Sequence, residues 1–151
     1  MKYRAVAALL LAAACAGEKA PVPDSAALVA PASVAPMSAV VIASPAEGDT
    51  TGQDVTIVLA GQGVMIEKAS GTRAEGIGHH HLFLDTLATP DGEVIPPTSQ
   101  RVIHIGTGDS TFTFKGLPAG RHQVIAVIGY GDHSAMPQRR DTVRFIVRPG
   151  R

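Results

Sequence analysis

The sequence predicts one all-β domain, an immunoglobulin-like sandwich of about seven strands, which follows an export signal and a tether. Three observations favour this fold class. Glycine and proline are frequent, with 16 and 11 of 151 residues, and both are typical of the turns between strands. The apolar runs are short, and several alternate with polar residues as half-buried strands do. No segment shows the 3.6-residue apolar period of a helix.

Charge and aromatic content exclude a nucleic-acid partner. The formal net charge is zero with 13 basic and 13 acidic residues. Removing Lys2 and Arg4 with the leader leaves 11 against 13, a net charge of −2. Tryptophan is absent and aromatic residues make up 4% of the chain, so neither a basic footprint nor a base-stacking platform is expected.

The first residues resemble a lipoprotein export signal. Lys2 and Arg4 precede a small apolar core over residues 5–14, which is too short to span a bilayer. The single cysteine, Cys15, follows three alanines, as in bacterial lipoproteins whose first mature residue is a lipidated cysteine. Residues 1–15 are therefore interpreted as a lipoprotein signal, and the lack of an Asp after Cys15 favours the periplasmic side of the outer membrane. The alternative is an ordinary signal peptide and a secreted or periplasmic protein.

Residues 16–37 are predicted to be a disordered linker, because four prolines stand among Ala, Ser and Val and little could be buried. The domain is predicted over residues 38–149. Its first strand covers residues 39–43, a β-branched run that ends before Ser44-Pro45. The second covers residues 54–60, where apolar residues alternate with polar ones.

The remaining strands follow after a glycine-rich loop. Strand three is predicted over residues 79–86, with His80 on the face of Leu82 and Leu84 and with His79 and His81 on the other. Four more strands follow it. They are predicted over residues 101–105, 111–114, 122–128 and 141–147.

Chain order predicts where the histidines gather. Named A to G, the strands of an immunoglobulin-like sandwich place the B–C, D–E and F–G loops at one end. Residues 79–81 begin strand C, His104 lies at the end of strand D, and His133 lies in the F–G loop. Five of the six histidines therefore lie at one end. His122 begins strand F at the opposite end.

These histidines suggest a metal site. His79 and His81 lie about 6.5–7 Å apart along one face of a strand, and imidazole nitrogens bind zinc at about 2.0–2.1 Å. His133 is the candidate third ligand, since strands C and F pair, and His104 is the candidate fourth. His80 points to the opposite face.

Two further residues receive supporting roles. Asp132 is a candidate for orienting an imidazole by a hydrogen bond. His122 follows a Leu-Pro-Ala-Gly corner, where immunoglobulin-like domains place a tyrosine that bonds back across the corner, so it is interpreted as structural. No catalytic residue is predicted, because neither a triad nor a GxSxG motif is present.

The histidine blocks resemble a family of bacterial secreted domains, the domain of unknown function numbered four-three-nine-nine. GHHHLFLD at residues 78–85 and HIGTG at 104–108 match its first two blocks. AGRH at 119–122 approximates the third, and GDH at 131–133 begins the fourth. The family has no assigned activity, so the resemblance implies a fold and a histidine site but no reaction.

The fourth block then departs from the family. Ala135 and Gln138 stand where the family has two more histidines, around a matching Pro137. Their loss argues against a site of high coordination number, or leaves Met136 as a substitute. A thioether with imidazoles would suit copper(I) rather than zinc.

The sequence therefore predicts an envelope lipoprotein that binds copper or zinc and has no nucleic-acid partner; it identifies no protein partner. Binding is expected to weaken below about pH 6, since the unperturbed histidine pKa is about 6.5. The alternative is a structural or adhesion module in which the histidines form a hydrogen-bonded polar plug. A metal-dependent enzyme is less favoured, because no base or open ligand position is indicated.

Overall fold

Nine strands make up the domain in the computed structural model, which describes residues 40–150. The predicted signal peptide with Cys15 and the predicted linker lie outside the described residues. Within residues 40–150 no helix has the length and apolar character of a membrane span. In chain order the strands are β1 (Val40–Ser44), β2 (Thr50–Thr51), β3 (Val55–Gly61), β4 (Met65–Ile66), β5 (Ile77–Leu84), β6 (Val102–Ile105), β7 (Thr111–Phe114), β8 (Gly120–Gly129) and β9 (Ala135–Val147).

The strands form two sheets, and the predicted immunoglobulin-like sandwich is confirmed. The first sheet has the order β1-β3-β7, and the second has the order β2-β9-β8-β5-β4, with β6 also paired to β5. The pairing of β5 with β8 is the predicted pairing of strands C and F. The fourth predicted strand, β6, belongs to the second sheet, whereas the constant-type immunoglobulin arrangement would place it in the first.

Three strands begin two or more residues earlier than predicted, and one of them, β8, begins at Gly120 rather than at residue 122. β5 begins two residues earlier than predicted, at Ile77, because a short parallel pairing with β4 joins Met65 to Ile77. β9 begins at Ala135 rather than at residue 141. Its first residue already pairs with Gly129, so the loop before it is a short hairpin connection.

Apolar side chains bury both faces of the second sheet. Between the sheets lies the main core, to which Leu82 and Leu84 of β5 contribute. On the other face Phe83, Ile125 and Val127 form a smaller cluster with Ile95. Alternation along β5 explains this division, because neighbouring residues of a strand point to opposite faces.

The connection between β5 and β6, residues 85–101, covers this outer cluster, and we call it the flap. Its Ile95 is buried, with 3% of its surface exposed. Backbone hydrogen bonds attach the flap to the β8–β9 hairpin. The amide of Ile95 donates to the carbonyl of His133 at 2.9 Å, and that of Ala135 donates to the carbonyl of Glu93 at 2.8 Å. The outer face of the sheet is therefore interior at this end of the domain.

Candidate metal centre

The first histidines of the site are carried by β5. His79 and His81 point to the outer face with Phe83, and both are buried, at 0% and 1% exposure. Their Nε2 atoms lie 2.9 Å apart and share a hydrogen bond. His80 points into the sandwich, where its Nδ1 lies 3.1 Å from the carbonyl oxygen of Asp109.

Two further histidines join them from other elements. His104 lies near the end of β6, and His133 lies in the β8–β9 hairpin loop. The ring centroids of His79, His104 and His133 are 4.7 to 5.0 Å apart in every pairing. One nitrogen from each of these rings and from His81 lies within 4.8 Å of all the others. The four residues could hold a metal ion in this arrangement.

Strand register brings the rings of β5 and β6 together. His81 is directly opposite His104, and His79 is directly opposite Gly129. The absence of a side chain at two glycines makes room for the rings. A Cβ at Gly129 would lie 3.0 Å from Nε2 of His81, and one at Gly106 would overlap Cε1 and Nε2 of His104. Sequence reasoning missed these glycines, although Gly106 lies inside the HIGTG block.

The backbone of His133 is held in a left-handed conformation, with φ at 68°. Histidine is among the residues that adopt this region more readily than most. Its amide donates to the carbonyl of Tyr130, and its own carbonyl accepts from Ile95 of the flap, both at 2.9 Å. These contacts fix the direction in which the imidazole leaves the hairpin.

Asp132 supports the loop rather than an imidazole. Its Oδ1 accepts hydrogen bonds from the amide and the hydroxyl of Ser134, at 2.9 and 2.6 Å. These bonds hold the pKa of the Asp132 carboxyl below its ordinary value. The predicted hydrogen bond from Asp132 to a ring nitrogen is not formed among the residues that the structure describes, and the bonds of its Oδ1 go to Ser134 instead.

Burial lowers the pKa of three of the clustered histidines. Desolvation is the main cause that lowers the pKa of His79 to about 4, and the neighbouring His104 and His133 lower it further. The pKa of His81 is lowered to about 2, again chiefly by burial and then by His79. Burial also lowers the pKa of His104. At neutral pH these three imidazoles keep a lone pair that can bind a metal.

Hydrogen bonds test the polar-plug interpretation. A plug requires ring nitrogens that bond to loop carbonyls, and His80 makes such a bond. In the cluster, by contrast, no ring nitrogen bonds to a loop carbonyl in the described part of the chain. Nδ1 of His79, Nδ1 of His81 and Nε2 of His104 are buried without a hydrogen-bond partner among the described residues, as is the second ring nitrogen of His80, Nε2. An unpartnered buried polar atom costs about 1–3 kcal/mol. The plug therefore describes His80 but not the other three.

His122 lies apart from the cluster, at the other end of β5. Its Nδ1 lies 2.7 Å from Oδ2 of Asp85, and its Nε2 lies 2.9 Å from the carbonyl oxygen of Pro118. The second contact reaches back four residues across the corner that precedes β8. Its surroundings are those of a corner residue.

A family comparison covers most of the domain. The family described as "Domain of unknown function (DUF4399)" matches residues 55–148. The chain belongs to the DUF4399 family. No curated protein matches it. The four clustered histidines lie within the matched region, so the site is part of the DUF4399 domain itself.

Two solved structures are similar to this DUF4399 chain. One is a fibronectin(III)-like module of CbhA from Clostridium thermocellum, with 17% identity and a TM-score of 0.43, covering 74% of this chain and 99% of the module. The other is the extracellular domain of a putative one-component system from B. thetaiotaomicron, with 11% identity and a TM-score of 0.43. It covers 74% of this chain and 15% of that one. The fold assignment rests on the strand order described above.

Methionine does not replace the missing histidines of the family pattern. Met136 is buried in the main core between the sheets, and Ala135 lies in the outer cluster. Because the two residues are neighbours on β9, their side chains point to opposite faces of the sheet. The expectation that Met136 substitutes as a ligand is wrong for this reason. The donor set consists of imidazoles alone.

A cleft leads to the cluster from outside. It has a volume of about 410 Å³, and its lining includes His81, His104, His133 and residues 94–98 of the flap. His104 and His133 are only half-buried. Of the four imidazoles, His79 alone does not line the cleft. A ligand or ion that enters through the cleft therefore meets His104 and His133, which form the half-buried side of the cluster.

Proposed function

We propose that this DUF4399 domain binds a transition-metal ion, copper or zinc, through His79, His81, His104 and His133. The role is binding or buffering rather than catalysis. The protein is exported and attached by a lipid at Cys15 to the periplasmic side of the outer membrane. One observation carries the metal proposal, namely the convergence of four imidazole nitrogens within 4.8 Å.

The spacing of the nitrogens supports a four-ligand site. Four nitrogens at about 2.0–2.1 Å from a tetrahedral ion lie about 3.3–3.4 Å from each other. The Nε2 atoms of His79 and His81 are at 2.9 Å, so this pair needs little change. His104 and His133 are half-buried and lie outside β5. The remaining nitrogen–nitrogen distances are at most 4.8 Å and would have to shorten when an ion binds.

The chemistry of the donors also supports this function. Neutral imidazole binds both copper and zinc well. Because the pKa values of His79 and His81 lie near 4 and 2, protons do not compete for these nitrogens at pH 6. Proton competition at His79 and His81 is therefore expected to begin below the value of about 6 that unperturbed histidines predict.

Thermal melting with and without metal tests the proposal. The protein is the tag-free mature chain with Cys15→Ser, so that a free thiol contributes no ligand. An ion that binds only the native state, at one hundred times its Kd, adds about 2.7 kcal/mol. For a domain of this size the melting temperature should rise by about 10–20 °C.

Four variants make the result specific. His104→Ala and His133→Ala remove half-buried rings and should lower the metal-induced rise while the domain still folds. The double variant His79→Ala/His81→Ala should abolish it. His122→Gln is the matched control, since it removes a histidine at the other end and should keep the full rise. If neither copper nor zinc raises the melting temperature at pH 7.5, the domain is a structural or adhesion module instead.

A further inference from the structure

The cleft beside the cluster has two kinds of wall. On one side are the edges of His81, His104 and His133, and on the other is the flap, residues 94–98. The flap contributes Val94, Ile95 and two prolines to this lining. A volume of about 410 Å³ falls within the range of small-molecule sites, which are mostly apolar with a few polar groups.

Charge is unbalanced at the inner end of this cleft once a metal is bound. All four donors are neutral imidazoles, and no carboxylate of the described residues belongs to the group. Asp132 lines the outer part of the cleft, but it is exposed and its Oδ1 is occupied by Ser134. A divalent ion would therefore keep most of its charge in a largely buried place, which is costly without a counter-ion.

We propose that the cleft binds a small organic carboxylate, whose oxygen coordinates the metal as a fifth ligand beside the four imidazoles, while its apolar body lies against the flap. This inference rests on the proposed metal site. A carboxylate oxygen is an ordinary ligand of zinc, at about 2.0–2.2 Å, and copper(II) also accepts mixed nitrogen and oxygen ligands. The buried His81 ring, whose Nδ1 has no partner among the described residues, lies at the inner end.

The lining favours a carboxylate over a phosphate. Among residues 40–150 no lysine or arginine lines the cleft, whereas phosphate sites depend on such side chains or on backbone amides at a helix start. The single negative charge of a monocarboxylate would bind the metal ion. Its apolar body would contact the valine, isoleucine and proline side chains of the flap. The ligand class is therefore a monocarboxylate with an aliphatic chain or a single ring.

The test measures benzoate binding by calorimetry to the full mature chain, metal-free and loaded with copper(II) or zinc. Benzamide is the neutral counterpart of the same shape. Benzoate should bind the metal-loaded protein at least tenfold more tightly than the metal-free protein, and benzamide should not. By linkage, saturating benzoate should tighten metal binding by the same factor.

A pair of variants separates the cleft from a general effect of surface charge. Val94 is 70% exposed and lines the cleft, whereas Leu87 of the flap is 86% exposed and does not. Val94→Asp should weaken benzoate binding at least fivefold, because it adds a negative charge beside the carboxylate. Leu87→Asp should leave benzoate binding unchanged.

Each outcome decides between the two proposals. If metal binds but benzoate does not, or if benzamide or the metal-free protein binds equally well, the carboxylate inference is overturned and the metal site stands. Equal effects of Val94→Asp and Leu87→Asp would also overturn it. If neither copper nor zinc binds, both proposals fall.

Discussion

His81 and His104 lie directly opposite each other on β5 and β6, with ring centroids 5.0 Å apart and ring planes 15° from parallel. This stacking depends on Gly106, two residues after His104 on the chain. Because Gly106 has no side chain, the ring of His104 can lie over its backbone. A glycine outside the cluster thus sets the position of one of its members.

The first prediction follows from this contact. Gly106→Ala should displace the His104 ring, because the new Cβ would overlap Cε1 and Nε2. Since a side chain moves more easily than the backbone, we expect little change in metal-free stability. Metal affinity should fall about tenfold, or 1.4 kcal/mol. Titration with zinc and copper measures it. Gly52→Ala is the control, since nothing lies within 4 Å of a Cβ there; equal affinities of the two variants would contradict the prediction.

The second prediction concerns acid stability without metal. The folded-state pKa values of His79 and His81 are about 4 and 2, against about 6.5 in an unfolded chain. Below pH 6.5 the unfolded chain therefore binds protons that the folded domain does not, so stability falls as the pH falls. Between pH 7.5 and pH 5.5 the loss should be about 1.4 kcal/mol for each histidine.

Urea unfolding in the presence of a chelator measures this loss. The variant His79→Gln/His81→Gln removes both titrating groups while keeping polar side chains of similar size. Over the same pH interval the variant should lose about 3 kcal/mol less of its free energy of unfolding than the unaltered protein loses. Parallel curves for the two proteins would show that these histidines do not titrate as their burial requires.

The third prediction assigns His122 to stability alone. His122→Ala removes the contacts to Asp85 and to the carbonyl of Pro118, and hydrogen bonds to a charged group contribute about 1.5–3 kcal/mol. We expect a comparable loss in the free energy of unfolding at pH 7.5. The rise in melting temperature on adding metal should stay as in the unaltered protein. A smaller rise would mean that His122 takes part in metal binding.

The fourth prediction concerns Cys15, which lies outside the described residues. If Cys15 is the lipidated first residue of the mature protein, Cys15→Ser should yield unprocessed or soluble protein. Membrane fractionation and the intact mass of the product check this. An unchanged mass and an unchanged distribution between membrane and soluble fractions would rule out lipidation at this position.

Local periodicity and chain order were enough to predict how the histidines are arranged. Alternation along one strand predicts that His79 and His81 share a face and that His80 does not. The order of strands and loops predicts that His133 and His104 lie at the same end and that His122 lies at the other. The structure brings together the same four residues. Metal binding itself stays a prediction.

Long-range packing explains what could not be predicted. No pattern in the sequence shows that the flap folds back over the outer face of the sheet. Its apolar contact is small, made by Ile95 and Ala88. Its other contacts are backbone hydrogen bonds and the bonds of Asp91 and Thr89 to β9, whose partners are distant in the sequence. The direction of Met136 depended on where β9 begins, which the hairpin with Gly129 sets. Asp132 bonds to Ser134, two residues away. The sequence alone could not show whether the carboxylate bonds to Ser134 or to a histidine.

The pairing of β1 with β3 has a consequence for the whole protein. Val40, the first described residue, is opposite Gly61 at the end of β3, and this is the end at which β5 begins. The chain therefore enters the domain at the histidine end. If Cys15 carries a lipid, the 24 residues from 16 to 39 limit the reach of the domain to about 80 Å from the bilayer. The pole that carries the histidines is then the tethered one, and the corner with His122 is the free pole.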